Sequence, residues 1–147
     1  MNWKKIVRRC LITSGTIYLA IILLDNYILP TDYRSCELYT EQMNGGIQTF
    51  RRRTLNIRLC GLSDQGPVNP FYSDEARLQV FSMEGELLAE RFFEPLGGMG
   101  DFGLYLKYGD DYLIYNDGQG SGFQTKMAMP PTKLDWIRAR LPRIWPF

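Results

Sequence analysis

The sequence predicts an α+β fold that is mainly β: an N-terminal transmembrane helix, an antiparallel β meander of about six strands and one C-terminal helix. Three observations predict it. An apolar run follows a basic N-terminus, alternating apolar and polar segments fill the middle, and a capped amphipathic stretch follows two prolines near the end. We therefore expect residues 1–30 to form a cytoplasmic basic flank with a signal anchor, and residues 31–147 to form one β-rich domain.

The N-terminal segment has a basic start and an apolar middle. Residues 10–24 carry no charge, and as a helix they would span about 22 Å, which is less than the ~30 Å of a hydrocarbon core. Extended to Leu29, the helix reaches about twenty residues, which is enough to span. The basic residues that flank it are Lys4, Lys5, Arg8 and Arg9.

This segment has two other possible interpretations. A cleaved signal peptide needs small residues at its cleavage site, and residues 23–30 contain no such pattern. The first core helix of a soluble protein would carry a polar stripe, but residues 11–24 are apolar or small nearly all round. An uncleaved anchor is favoured. Because Lys and Arg stay on the cytoplasmic side, the N-terminus is expected inside and the domain in the periplasm of a Gram-negative cell, giving a single-pass inner-membrane protein.

Composition excludes several functions. The chain has no histidine, so it lacks the commonest general base and the commonest metal ligand. From Thr31 onward there are 13 basic and 15 acidic residues, a net charge of 13 − 15 = −2. A slightly acidic domain is a poor match for nucleic acid, which is bound through dense Lys and Arg. We expect no cofactor, no metal and no nucleic-acid partner.

The three cysteines also indicate the compartment. Cys10 lies in the predicted anchor, whereas Cys36 and Cys60 lie 24 positions apart in the predicted periplasmic part. In an oxidising compartment a disulfide between them would stabilise the fold by about 3 kcal/mol. The alternative is two ordinary buried thiols.

The middle of the chain has the period-two pattern of antiparallel strands. Glu84-Gly85 and the segment 109–111 are short connections that predict hairpins. Residues 33–40 are expected to be a short strand or irregular. The predicted strands are residues 55–60, 76–83, 86–93, 102–108, 112–115 and 122–129.

A helix is predicted after Pro130-Pro131. Thr132 is a good N-cap, and Asp135 completes the capping-box pattern. Trp136 and Arg140 are i,i+4 neighbours that favour a cation–π contact. The face expected to lie on the sheet carries Leu134, Ile137 and Leu141.

Acidic residues cluster near two predicted turns. Asp110, Asp111 and Asp117 could gather around a cation if the turns were adjacent, and together with Glu94 they are the candidates for carboxylate chemistry. Solvated turn carboxylates are far more common. We therefore expect no catalytic residue here.

Basic and aromatic side chains are the candidates for contact with a partner. Arg51, Arg52 and Arg53 form the densest basic cluster, and on a strand Arg52 would point away from the other two. A solvated strand end is the simpler interpretation of that cluster. The remaining candidates are Trp136, Arg140 and Trp145.

Two stretches, "DEARLQVFSMEGELLAERFF" (74–93) and "MPPTKLDWIRARLP" (129–142), resemble small uncharacterised membrane-anchored periplasmic proteins of Gram-negative bacteria. They cover about a quarter of the chain. The resemblance implies an apolar anchor and a compact β-rich domain, and it carries no catalytic residues.

These observations predict a non-enzymatic inner-membrane protein whose periplasmic domain binds another protein of the envelope. One specific form is an immunity protein against a toxin that acts in the periplasm. An accessory subunit of an envelope complex is the alternative, since Thr13, Ser14, Gly15 and Thr16 would allow close helix contact. A carboxylate-dependent envelope enzyme is the third hypothesis.

Overall fold

The computed structural model describes residues 3–24, 31–64, 66–67, 75–95, 105–118 and 124–141, apart from the side chains of residues 22 and 23. The chain divides into two units: Met1–Thr31 with Leu141–Phe147, and Asp32–Arg140. The cellular compartments expected for residues 1–30 and 31–147 stay predictions.

Helix α1 (Trp3–Leu23) exposes each of its described side chains. Leu11, for example, is 67% exposed. The hydroxyl groups on this helix donate to its own carbonyl oxygens: Thr13 to Arg9 at 2.7 Å, and Thr16 to Thr13 at 2.9 Å. No helix within the described ranges has the length and hydropathy required to cross a bilayer.

The larger unit contains two antiparallel sheets and two short helices. The first sheet has the order β1 (Gly46–Phe50), β2 (Arg53–Gly61), β3 (Ala76–Ser82) and β4 (Leu87–Phe93). The second has the order β5 (Lys107–Tyr108), β6 (Tyr112–Tyr115) and β7 (Thr125–Ala128). The helices are α2 (Cys36–Gln42) and α3 (Lys133–Arg138).

The predicted α+β class, mainly β with antiparallel strands and a short C-terminal helix, is confirmed, but the single meander of about six strands is wrong. The described residues form seven strands in sheets of four and three. The break comes between β4 and β5, where the sequence "EPLGGMGDFG" contains four glycines and one proline. The connection from Phe93 to Lys107 is longer than the two- to five-residue loops that join hairpin strands.

A single core lies between the two sheets. From Leu55 to Leu59 of β2 and from Ala76 to Val80 of β3 every second side chain is buried, as period-two alternation predicts. The second sheet adds Leu113 and Met127, and the rings of Phe93 and Tyr115 lie 4.9 Å apart. The strand side chains of the first sheet in this core are Phe50, Leu55, Ile57, Leu59, Ala76, Leu78, Val80, Ala89 and Phe93.

Helix α2 lies where a short strand or irregular chain was expected. Tyr39 and Met43 enter the core and are fully buried. On the same segment, the Thr40 hydroxyl accepts from the Leu59 N–H at 2.9 Å and donates to the Leu59 carbonyl at 3.2 Å. The helix therefore fixes its position on the free edge of β2 through hydrogen bonds that a neighbouring strand would otherwise make.

The predicted cysteine pair is found at bonding distance. The sulfur atoms of Cys36, at the start of α2, and Cys60, near the end of β2, lie 2.02 Å apart. Cys10 on α1 is a free thiol. The pair joins α2 covalently to the strand whose edge it covers.

Helix α3 begins with the predicted capping box, in which Thr132 and Asp135 exchange hydrogen bonds. Its predicted inward face is wrong, however, because Leu134 and Ile137 are 54% and 47% exposed. Asp135 is buried instead and pairs with Arg91 of β4. Arg91 is mostly buried and requires a counterion, so the acidic side of α3 faces the sheet.

Candidate binding groove

The outer face of the four-stranded sheet provides the floor of a groove. Because Leu55, Ile57 and Leu59 point into the core, the alternate residues Asn56 and Arg58 point the other way. The strand register sets Phe81 beside Asn56 and Gln79 beside Arg58. The floor is therefore mixed, with an amide and a guanidinium next to an aromatic ring.

Two elements form the walls. Helix α2 lines one side of the groove, and the turn between β3 and β4 lines the other. The groove is open to solvent and has a volume of about 890 Å³. Its lining side chains on α2 are Cys36, Glu37, Thr40 and Glu41, and those at the turn include Ser82 and Met83.

The turn between β3 and β4 is held by one serine. Ser82 Oγ accepts hydrogen bonds from the backbone N–H groups of Glu84 at 3.2 Å and Glu86 at 3.3 Å. Gly85 has φ of +87°, as its place in the predicted hairpin requires. This fixed turn leaves Met83 53% exposed at the end of the groove.

The groove contains charges that the described part of the chain does not neutralise. Glu37 and Glu41 lie four positions apart on α2, where like charges repel. Among the described residues, neither of them nor Arg58 has a salt bridge or a side-chain hydrogen bond. A ligand with both positive and negative groups would remove this repulsion and give Arg58 a counterion.

The potential nucleophiles of the groove already have structural roles. The Thr40 hydroxyl holds the β2 edge, the Ser82 hydroxyl holds the turn, and Cys36 is bonded to Cys60. The geometry therefore suits binding of a ligand through surface contacts.

The carboxylates singled out in the sequence lie elsewhere. Asp110 is exposed in the turn between β5 and β6, and the neighbouring Asp111 pairs with Arg51. Asp117 Oδ1 accepts from the Glu94 N–H at 3.3 Å. Within the ranges that the structure describes, no group of three acidic, cysteine or histidine side chains is arranged to hold a metal ion.

The basic cluster forms a turn, so the expected alternation along a strand does not apply to it. Arg51 has φ of +53° and, with Arg52, connects β1 to β2, which begins at Arg53. All three arginines are exposed. They lie at the opposite end of β1 from Gly46, which lines the groove.

The aromatic candidates on α3 are already engaged within the domain. The Arg140 guanidinium stacks on the Trp136 ring at 3.6 Å, so the predicted cation–π contact is present. The Trp136 Nε1–H donates to Glu86 Oε1 at 2.7 Å, and Arg140 donates to the Leu87 carbonyl at 2.9 Å. Trp145 lies outside the described residues.

The predicted membrane-flanking residues Lys4, Lys5, Arg8 and Arg9 are exposed on α1.

Burial changes the ionisation of groups that hold the domain together. It raises the pKa of Tyr108, whose hydroxyl donates to the Asn44 carbonyl at 2.6 Å beside the groove. For Asp135 burial also acts to raise the pKa, but the hydrogen bonds from Thr132 and the charge of Arg91 outweigh it and lower the pKa. Asp135 is therefore ionised at neutral pH.

The groove was not predicted, because its α2 wall was not recognised as a helix. Two signals were available in the sequence: the spacing of Glu37 and Glu41, and Arg58 at an outward position of β2.

No family model matches the chain, and neither a curated protein nor a solved structure has significant similarity to it.

Proposed function

We propose that this chain is a non-enzymatic, single-pass inner-membrane protein whose periplasmic domain binds a protein partner in the groove beside α2. The observation that carries the proposal is the set of unneutralised charges in that groove, Glu37 and Glu41 on the wall and Arg58 on the floor. Complementary charges steer association and fix the register of a partner.

The shape and lining of the groove favour a polypeptide over a small molecule. Small ligands are usually enclosed, whereas this groove is open along the sheet face. Phe81 and Met83 offer apolar contacts at one end, and the amides of Asn44 and Asn56 offer hydrogen bonds. An extended segment with a carboxylate for Arg58 and a basic group for the α2 glutamates would match this lining.

The proposed location depends on α1 and on the cysteine pair. The apolar side chains of α1 are exposed. Its threonine hydroxyls donate to carbonyl oxygens of the same helix, so these hydroxyls do not require water as a hydrogen-bond acceptor. The proposed span runs in sequence from Cys10 to Leu29, and its last residues lie outside the described ranges. A Cys36–Cys60 disulfide is typical of an oxidising compartment such as the periplasm.

An immunity protein against a periplasm-acting toxin is the specific form of this function that we propose. A small domain with a membrane tether and one charged binding face would suit this role. The accessory-subunit alternative is favoured by Gly15, since a side chain added there would meet no atom within 4 Å and a second helix could approach closely.

The test is affinity capture of the full chain from detergent-solubilised membranes of its source cell. We expect a stoichiometric protein with the unmodified chain, and its loss with Arg58→Glu or with Glu37→Lys combined with Glu41→Lys. Lys107→Glu is the matched control, because Lys107 is exposed on the other sheet and is expected to leave capture unchanged.

Two outcomes would contradict the proposal. One is the absence of any stoichiometric protein with the unmodified chain. The other is equal capture by the unmodified and Arg58→Glu chains. A reporter fused after Phe147 tests the location separately, and its activity in the cytoplasm would contradict the proposed topology.

A further inference from the structure

Helix α3 presents apolar side chains to solvent on the face that does not contact the sheet. Leu134 and Ile137 are three positions apart, so they lie on the same side of the helix, and both are about half exposed. Apolar side chains that are exposed next to one another on a small domain indicate a surface that contacts a membrane or another protein.

Polar contacts prevent this helix from turning its apolar face inward. Asp135 pairs with Arg91 and closes the capping box with Thr132. On the next turn Arg140 bonds to the Leu87 carbonyl at 2.9 Å and lies 3.3 Å from Glu86. The contacts with Arg91, Leu87 and Glu86 lie on the sheet side, so the exposure of Leu134 and Ile137 is a fixed property of the fold.

Basic side chains flank the exposed apolar pair. Lys133 and Arg138 are exposed, and among the described residues neither has a salt bridge. The only acidic residue of the helix, Asp135, is already used by Arg91. The outward side of α3 is therefore apolar at its centre and positively charged at both ends.

We propose that α3 docks on the surface of an anionic lipid bilayer, with Leu134 and Ile137 at the boundary between headgroups and acyl chains and with Lys133 and Arg138 on lipid phosphates. A short amphipathic surface with basic groups beside aliphatic ones has the chemistry of an interfacial helix. The sequence that follows has the same composition: Leu141, Arg143, Ile144, Trp145 and Phe147. This inference rests on the proposed membrane location.

The docking is tested with the full chain carrying Cys10→Ser, in which the Cys36–Cys60 disulfide leaves an introduced cysteine as the only reactive thiol. A nitroxide is attached at Ile137→Cys, and the chain is reconstituted in vesicles of phosphatidylethanolamine with phosphatidylglycerol. Flotation first shows whether the chain is membrane-bound. Spin relaxation by oxygen and by a water-soluble nickel chelate then reports the depth of the label.

The matched control is the same label at Thr49→Cys. Thr49 is exposed on β1, three strands away from β4, against which α3 packs. We expect the label at 137 to relax more with oxygen and less with nickel than the label at 49. In a Lys133→Gln, Arg138→Gln chain the ratio of docked to undocked chains should fall about 25-fold, since each basic group contributes roughly fivefold.

The outcomes separate this inference from the proposed function. A chain that floats but whose label at 137 behaves like that at 49 overturns the docking and leaves the anchor intact. A label protected from both reagents shows that protein covers the face, which also overturns it. A chain that does not float contradicts the docking and the membrane location together. Far-UV circular dichroism of each variant confirms that the fold is retained.

Discussion

The two short helices of the domain are attached to the same sheet in opposite ways. Helix α2 inserts Tyr39 into the core, Met43 at its C-cap is buried beside it, and Cys36 joins the helix to β2. Helix α3 inserts a carboxylate, Asp135, and leaves Leu134 and Ile137 in solvent. Both helices pack against the four-stranded sheet, but apolar burial holds only the first.

This difference shows that the orientation of a short helix is set by the neighbouring group whose unsatisfied burial would cost the most free energy. Beside α2 the neighbours are apolar core residues and unpaired backbone groups of β2, so apolar burial and the Thr40 hydroxyl satisfy them. Beside α3 the neighbour is Arg91, whose side chain is only 20% exposed. A cation in that position requires a counterion, and the apolar residues of α3 are displaced outward as a result.

The largest expected effect is on the apolar attachment. Tyr39→Ala should lower the free energy of unfolding by about 4 kcal/mol, because it removes a fully buried aromatic ring that contacts Gly61. Urea denaturation followed by circular dichroism measures the change. Tyr105→Ala is the control, because Tyr105 is 43% exposed, and a loss of similar size there would contradict the comparison.

A smaller effect is expected at the polar attachment. Asp135→Ala should lower the free energy of unfolding by about 2 kcal/mol, because it leaves Arg91 without its counterion and removes the capping box. Asp135→Asn keeps a hydrogen-bond acceptor for Thr132 and should lose less. An unchanged stability in Asp135→Ala would show that the ion pair does not fix the helix.

The same carboxylate gives a pH dependence of known sign. Because the pKa of Asp135 is lower in the folded chain, its contribution is present above the ordinary aspartate pKa of about 3.9 and is lost as the pH falls through the lower, folded value. The stability difference between the unmodified and Asp135→Asn chains should therefore shrink on acidification. A difference that grows instead would reverse the assignment.

The smallest effect is expected on the outer face of α3. Ile137→Ser should change the free energy of unfolding by less than about 0.5 kcal/mol, because the side chain is already half exposed. Ile57→Ser is the matched control at a fully buried isoleucine and should cost several times more. Similar losses at both positions would mean that Ile137 is buried in solution.

Sequence reasoning predicted the parts of the fold that local signals specify. The β3–β4 hairpin follows from strand alternation and from Gly85, and the start of α3 follows from Thr132 and Asp135. The inward face of α3 could not be predicted, because it depends on Arg91, which precedes Asp135 by 44 positions. The helical propensity of one element does not show which distant charge it must neutralise.

The groove could not be predicted from local sequence patterns for a related reason. Helix α2 has only seven residues, too few for apolar periodicity to be recognised, and its position is set by backbone groups of β2. The period-two pattern of β2 does predict that Arg58 points away from the core. The glutamates that line the groove with it belong to an element that the sequence pattern did not reveal.

The hydrogen bonds along β2 also affect how the folded domain meets other copies of itself. β1 pairs only with residues 53–57 of this nine-residue strand. Thr40 then occupies Leu59, and the backbone of Arg34 exchanges hydrogen bonds of 2.7 and 3.2 Å with Gly61. Thr40 of α2 and Arg34 before it thus leave no free stretch on that side of the longest strand, so a foreign strand cannot extend the sheet along this edge of β2.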